Sequence, residues 1–213
     1  MNFYQTLIEQ TEIERLSFLS IPLVQSAVKG EIDKNMYHSF LVEAYHHVKH
    51  TTPLLMACGS LLPDRLEWLR EAVGEYIEEE MGHQEWILND IAALGENSEK
   101  TRHGEPSLQT ELMVSYAWDT IQRKNPIGFF GMVLVLEGSS VQLATPAAQA
   151  IQKALELPDE AFSYLISHGS LDIEHISFFE KLMNKIDNTE DQKAIIHCAK
   201  MMYKLYGDIF RGL

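Results

Sequence analysis

The chain has 213 residues, of which 46% are hydrophobic and 23% charged, the balance of a single soluble domain long enough to bury a substantial core. Its 17 Lys and Arg stand against 31 Asp and Glu, a formal net charge of −14, which repels nucleic acid and anionic membrane because no basic stripe is available to neutralise phosphates. The two cysteines, Cys58 and Cys198, form no Cys-x-x-Cys pair, which argues against a disulfide framework and a thiolate zinc site.

Along the chain, apolar residues recur at three- and four-residue spacing, with no sustained two-residue alternation, so the fold class is all-α. Residues 2–29 predict one or two helices broken near Ser20-Ile21-Pro22. The opening MNFYQTLIEQTEIERL lacks the basic start and apolar core of a signal peptide, and no apolar run reaches the ~18 residues of a membrane span, so a cytoplasmic protein is expected. A further helix starts at Asp33 and runs through FLVEAYHHVKHTTPLLMACGSLL with a bend at Pro53. Another covers Leu66 to Leu94, ended by Gly95. GENSEKTRHGEPS is a polar connector. The stretch from Leu108 is interrupted at Asn125-Pro126-Ile127-Gly128, resumes to about Leu155, and carries a kink site at Pro146. Pro158 and Asp159 open a segment to Ile186, and Asp187-Asn188 precedes a final helix. With no internal repeat or flexible linker, about seven helices form one bundle domain over residues 1–213.

The chemistry begins with SHGSLDIEHISFF. At about 100° per residue, His168, Asp172 and His175 fall within about 60° of arc on one helix face. Two imidazoles and a carboxylate on one stripe suit a first-row ion such as iron, manganese or zinc; the alternative is an exposed polar face. In YIEEEMGHQEWILNDIAALG, Glu80 and His83 form Glu-x-x-His, the pair by which helical bundles present a carboxylate and an imidazole to metal. Glu79, four residues before His83, is the rival ligand, and acidic helices also produce such pairs by chance. In GFFGMVLVLEGSSVQLA, Glu137 stands alone among apolar residues, with no Lys or Arg between Lys124 and Lys153. A buried carboxylate there needs a cationic partner, whether a distant base or a metal.

Glu80, His83, Glu137, His168, Asp172 and His175 supply three carboxylates and three imidazoles, a set that one ion does not need and two ions sharing carboxylates would use. Gly82, Gly138 and Gly169 each lie beside a candidate, leaving room for dioxygen or substrate or serving close helix packing. In YHHVKH, His47 and His50 share a helical face, so Tyr45, His47 and His50 are candidates for lining a substrate cavity, against a surface reading for the histidines.

These residues resemble the haem-oxygenase-like di-iron oxidases and oxygenases, relatives of the TenA and pyrroloquinoline-quinone-synthase proteins. The resemblance spans essentially the whole chain. Glu80 with His83, Glu137, and the His-x3-Asp-x2-His of His168, Asp172 and His175 occupy the family's motif helices in order. EEEMGHQEWILNDIAALG is also similar to the E-x-GH-x-x-W-x-L-x-D signature of iron-containing redox enzymes. The resemblance implies two iron ions, the second often loosely held, and dioxygen as cosubstrate for oxidising a small organic molecule. A homodimer is the expected assembly.

Rival readings are a metal-free TenA-type thiaminase or aminopyrimidine hydrolase, which needs a cysteine near Glu137 where this chain has none, and a non-catalytic member of the fold. A ferritin-like di-iron protein is suggested by a second Glu-x-x-His at Glu43 and His46 but leaves His168, Asp172 and His175 without a place. A haem oxygenase needs an axial histidine near the N-terminus, and the first here is His38.

Overall fold

The computed structural model describes residues 2–213, with the side chains of residues 170–174 outside that description. Three short helices open the chain: α1 (Phe3–Gln10), α2 (Glu12–Leu19) and α3 (Pro22–Ala27). The break expected at Ser20–Pro22 is present, because Pro22 begins a new helix where its missing amide leaves no bond unmade. A second break at Thr11 carried no proline or glycine signal; its hydroxyl bonds back to the Leu7 carbonyl at 2.8 Å.

Asp33 accepts a bond from the Met36 amide and caps α4 (Lys34–Val48). The bend predicted at Pro53 falls earlier, at Lys49–His50. Pro53 instead lies in the first turn of α5 (Thr51–Leu61), where proline is harmless. The helix expected from Leu66 to Leu94 is two helices, α6 (Glu67–Glu80) and α7 (His83–Ala93). They are separated by Met81 and by Gly82, whose φ of +96° is cheap only for glycine. The polar connector contains a short α8 (Ser98–Arg102), capped by Asn97. Then follow α9 (Leu108–Arg123), α10 (Phe130–Leu155), α11 (Ser163–Met183) and α12 (Thr189–Gly212). Helix α10 continues through Pro146.

Helix α10 is the central post. Within Pro126–Leu155 the most apolar 18 residues reach a mean hydropathy of 1.6, enough by length and composition alone for a membrane span although polar residues such as Glu137 interrupt the run, and 67% of that window is buried inside the fold. Its apolar surface serves the core. Residues Phe129–Val135 belong to one cluster with α1, α5, α6, α9 and α12. Residues Ala144–Ile151 belong to a second cluster with α4, α7 and the start of α11. Glu137, Ser139 and Ser140 lie on the stretch between. Helices α10 and α11 approach closely because Gly169 has no side chain: a Cβ there would run into Thr145.

Candidate metal centre

Four helix segments meet where the two cores join: the end of α6, the start of α7, the middle of α10 and α11. The turn at Met81–Gly82 is what assembles the first pair. Glu80 ends one helix and His83 starts the next, and His83 Nδ1 lies 3.1 Å from Glu80 Oε2. Both side chains are buried, as are Glu137 and His175. The donors fall into two groups, Glu80 with His83 and His168, and Glu80 with Glu137 and His175; within each, one ligand atom per residue lies within 4.8 Å of the others. Glu80 belongs to both.

Neighbouring groups orient these donors. His168 Nδ1 is 3.0 Å from the Tyr164 carbonyl oxygen. A carbonyl only accepts, so Nδ1 carries the proton and Nε2 keeps its lone pair, the form a metal ligand needs. His83 stacks on Trp86 with ring centroids 4.0 Å apart and meets the His168 ring edge-on at 4.8 Å. His175 stands between two carboxylates, Nε2 being 3.0 Å from Glu79 and Nδ1 3.7 Å from Glu137. Burial, the largest influence, pushes the Glu80 pKa up. The hydrogen bond from His83 and the fields of His83, His168 and His175 outweigh it and hold the carboxyl below its ordinary value. Glu80 is therefore an anion suited to a cation.

Of the rival pair, Glu80 is 9% exposed and sits among the imidazoles, whereas the Glu79 side chain is 51% exposed and reaches His175 from outside. The side chain of Asp172 lies outside the described residues, although α11 carries it between His168 and His175. Of the three cavity candidates, His47 lines the interior cavity and Tyr45 and His50 do not. The shared face assumed for His47 and His50 is lost because α4 ends at Val48, leaving His50 in the break as the cap of α5. Tyr45 packs instead against the His46 ring and under Lys49.

Glu43 and His46, the second Glu-x-x-His pair, do not meet over a shared cation. The Glu43 carboxylate accepts from the Ser107 amide at 3.2 Å, the Ser107 hydroxyl at 2.8 Å and the Thr110 hydroxyl, closing the start of α9. His46 Nδ1 turns to Lys49 Nζ at 3.2 Å. Both cysteines are buried, and burial pushes each thiol up to about 12, far from a reactive thiolate. Among the glycines, Gly82 serves the turn and Gly169 the helix contact, while a Cβ at Gly138 would meet only ordinary neighbours.

Two spaces flank the donors. A cavity of about 150 Å³ lies on one side, walled by Glu80, Glu137, His168, Tyr76, His47 and a long run of apolar side chains. On the other side a surface groove is lined by Glu75, Glu79, His83, Trp86 and His175. Sequence reasoning missed Ser140 in the cavity wall, where it reads as one of two helix serines. It also missed Asp90, buried and placed to clamp α7 to α11. Its two oxygens accept from the Ser163 and Tyr164 amides at 3.0 Å each, which sets α11 and hence His168 against His83. Burial pushes the Asp90 carboxyl up even so. The signal for it was the Asp of LNDIAALG, an acid that with Asn89 interrupts an apolar helix end.

The fold and its donors define a haem-oxygenase-like helical protein. The chain belongs to the family of iron-containing redox enzymes, whose model matches residues 38–207. A domain of unknown function with a haem-oxygenase-like fold from Shewanella denitrificans superposes with a TM-score of 0.88 at 21% identity, covering 100% of this chain and 91% of that one. A TenA homologue from Pseudomonas syringae gives 0.83 at 12% identity over 98% and 91% of the two chains. Haem oxygenase-1 from Synechocystis, solved in complex with haem, gives 0.78 at 13% identity over 100% and 92%. No curated protein matches the sequence significantly.

Proposed function

We propose that this chain is a non-haem di-iron oxidase or oxygenase that uses dioxygen to oxidise a small organic substrate. The observation that carries the reading is the sharing of Glu80 between two groups of donors, Glu80–His83–His168 and Glu80–Glu137–His175. A single ion in either group would leave two of these five side chains to other partners, and a shared carboxylate is the economical way to hold two cations near each other. Iron held there would supply the electrons and the open coordination that dioxygen chemistry requires. The ligands proposed are Glu80, His83, Glu137, His168 and His175, with Asp172 completing the set on the strength of its spacing.

The remaining residues have simpler duties. The Tyr164 carbonyl fixes the His168 tautomer. Trp86 holds the His83 ring in place by stacking. Glu79 stands 3.0 Å from His175 Nε2 on the solvent side. The apolar cavity wall keeps water from the reacting side of the donors.

A metal-free thiaminase reading finds no nucleophile, since neither buried cysteine borders the cavity. The haem reading finds His47 and His168 as the cavity's imidazoles, neither of them on the N-terminal helices.

The test is anaerobic loading with ferrous iron, counting iron per chain, followed by exposure to dioxygen. About two irons per chain and a transient visible absorption support the reading. No uptake above background, or uptake undiminished in His168→Ala, overturns it.

A further inference from the structure

The cavity behind the donors has a composition that selects its occupant. Along α10 it is walled by one stripe that includes Leu136, Glu137, Ser140, Ala144, Ala147 and Ile151. Glu137 to Ile151 spans about 21 Å of helix at the standard rise, so a volume of about 150 Å³ spread over that length is narrow. Apart from the donors and from His47, Thr51, Ser139 and Ser140, the wall is apolar or aromatic, with α3 supplying Val24 and Ala27. Among the described residues no Lys or Arg lines it, and its acids are Glu80 and Glu137, both donors at the centre.

Among the described residues, and setting aside Tyr76 and the donors, two polar atoms in this wall are left over. His47 is 3% exposed, and its Nδ1 is buried with no hydrogen-bond partner among the described residues. The Ser140 hydroxyl, one turn beyond Glu137 on α10, is buried and unpartnered in the same sense. Leaving such groups unsatisfied is costly unless a ligand completes them. Burial, aided by the nearby His168, His50 and His46, lowers the His47 pKa to about 3. It therefore offers a neutral ring to a partner that needs no counter-charge.

We propose that the cavity binds a neutral, chain-like amphiphile, such as a long-chain alcohol or aldehyde, with its polar group on His47 and Ser140 and its hydrocarbon chain lying along α10. An anionic head finds no basic side chain here and meets Glu137 and Glu80 instead; a cationic head would have to leave His47 and Ser140 for those acids. The proposal rests on the di-iron reading only for what happens to the bound molecule, since the binding itself is the work of the cavity.

The test measures binding of 1-decanol, decanoate and decylamine to the protein by isothermal titration calorimetry, with iron counted on the same samples. 1-Decanol is expected to bind at least tenfold more tightly than either charged analogue. Affinity should fall about fourfold per methylene removed toward 1-hexanol, the value for burying one CH₂. Ala147→Leu should abolish the advantage of decanol over hexanol while leaving hexanol binding and iron content intact. His47→Phe should weaken decanol about tenfold, the loss of one buried hydrogen bond, and leave the methylene increment unchanged. Circular dichroism and the iron count establish that each variant is folded. Absence of decanol binding to folded protein, tighter binding of decanoate, or a chain-length dependence untouched by Ala147→Leu overturns the proposal. Two irons with no alcohol binding would sink the proposal alone, whereas alcohol binding without iron uptake would sink the di-iron reading alone.

Discussion

The chain spells Glu-x-x-His twice, at Glu43/His46 and at Glu80/His83, and the two pairs have opposite fates. Glu43 lies within the continuous helix α4, and its carboxylate is consumed by the Ser107 amide and the hydroxyls of Ser107 and Thr110. Glu80 ends α6 just before the left-handed Gly82, and its carboxylate lies 3.1 Å from the imidazole of His83, with His168 and His175 close enough to bias its charge. Spacing is identical and burial is alike, at 9% exposure for both carboxylates. What differs is the surrounding donors. Where hydroxyls and amides converge, a carboxylate becomes a structural cap. Where imidazoles converge, it keeps acceptor capacity that a cation can use.

The sharpest way to break this contrast is to remove the shared carboxylate. Glu80→Ala should reduce iron to background, because both donor groups lose a member at once, as read by metal analysis after anaerobic loading. Retention of more than one iron per chain would show that Glu80 is not shared. Next in size, His168→Ala and Glu137→Ala each remove a donor from one group only and should leave about one iron per chain. Their double variant should bind none. Equal and complete loss in both single variants would instead mean that the groups fill as a unit.

Much of the bundle was legible because an amphipathic period survives in sequence: the starts of α4, α9 and α12 follow from Asp33, Ser107 and Asn188, each accepting a bond from the first turn. Of the two breaks that matter most for the site, the first was read only in outline: a bend was expected at Pro53, and it falls at Lys49–His50, where the proline's missing amide leaves the Lys49 carbonyl without its helical bond, so His50 departs from the α4 face that carries His47. Met81–Gly82 contained a glycine, and it was weighed as space beside a ligand when its positive φ was its office. The convergence of Glu80, Glu137, His83, His168 and His175 was foreseen as a set of types. The clamp of Asp90 on the start of α11 and the tautomer lock of Tyr164 on His168 depend on contacts between residues far apart in the chain or on backbone atoms, which no periodicity announces.

That office can be tested directly, as a smaller effect. Gly82→Ala places a Cβ on a left-handed residue with open space around it, so the strain is conformational, about 1 kcal/mol or slightly more. In a chain of this length that lowers the melting temperature by roughly 2–4 °C. If the turn also sets the meeting of Glu80 and His83, iron affinity should fall several-fold beyond what stability accounts for, measured by competition with a chelator. Unchanged affinity with a lowered melting temperature would reduce Gly82 to a fold residue.

The smallest metal effect is expected at the other pair, and it completes the contrast. Glu43→Gln keeps the shape but replaces one acceptor oxygen with an amide donor facing the Ser107 and Thr110 groups, which bring donors of their own. Loss of charge-assisted bonds at the start of α9 should cost about 1–3 kcal/mol, read as a lower urea midpoint. Iron content should remain that of the parent, because neither donor group contains Glu43. His46→Ala should behave likewise on iron and cost less, since His46 contacts the side chain of Lys49, which is free to reach water. A drop in iron per chain in either folded variant would mean that α4 also feeds the centre, and the ferritin-like arrangement of Glu-x-x-His helices would then regain its claim on this sequence.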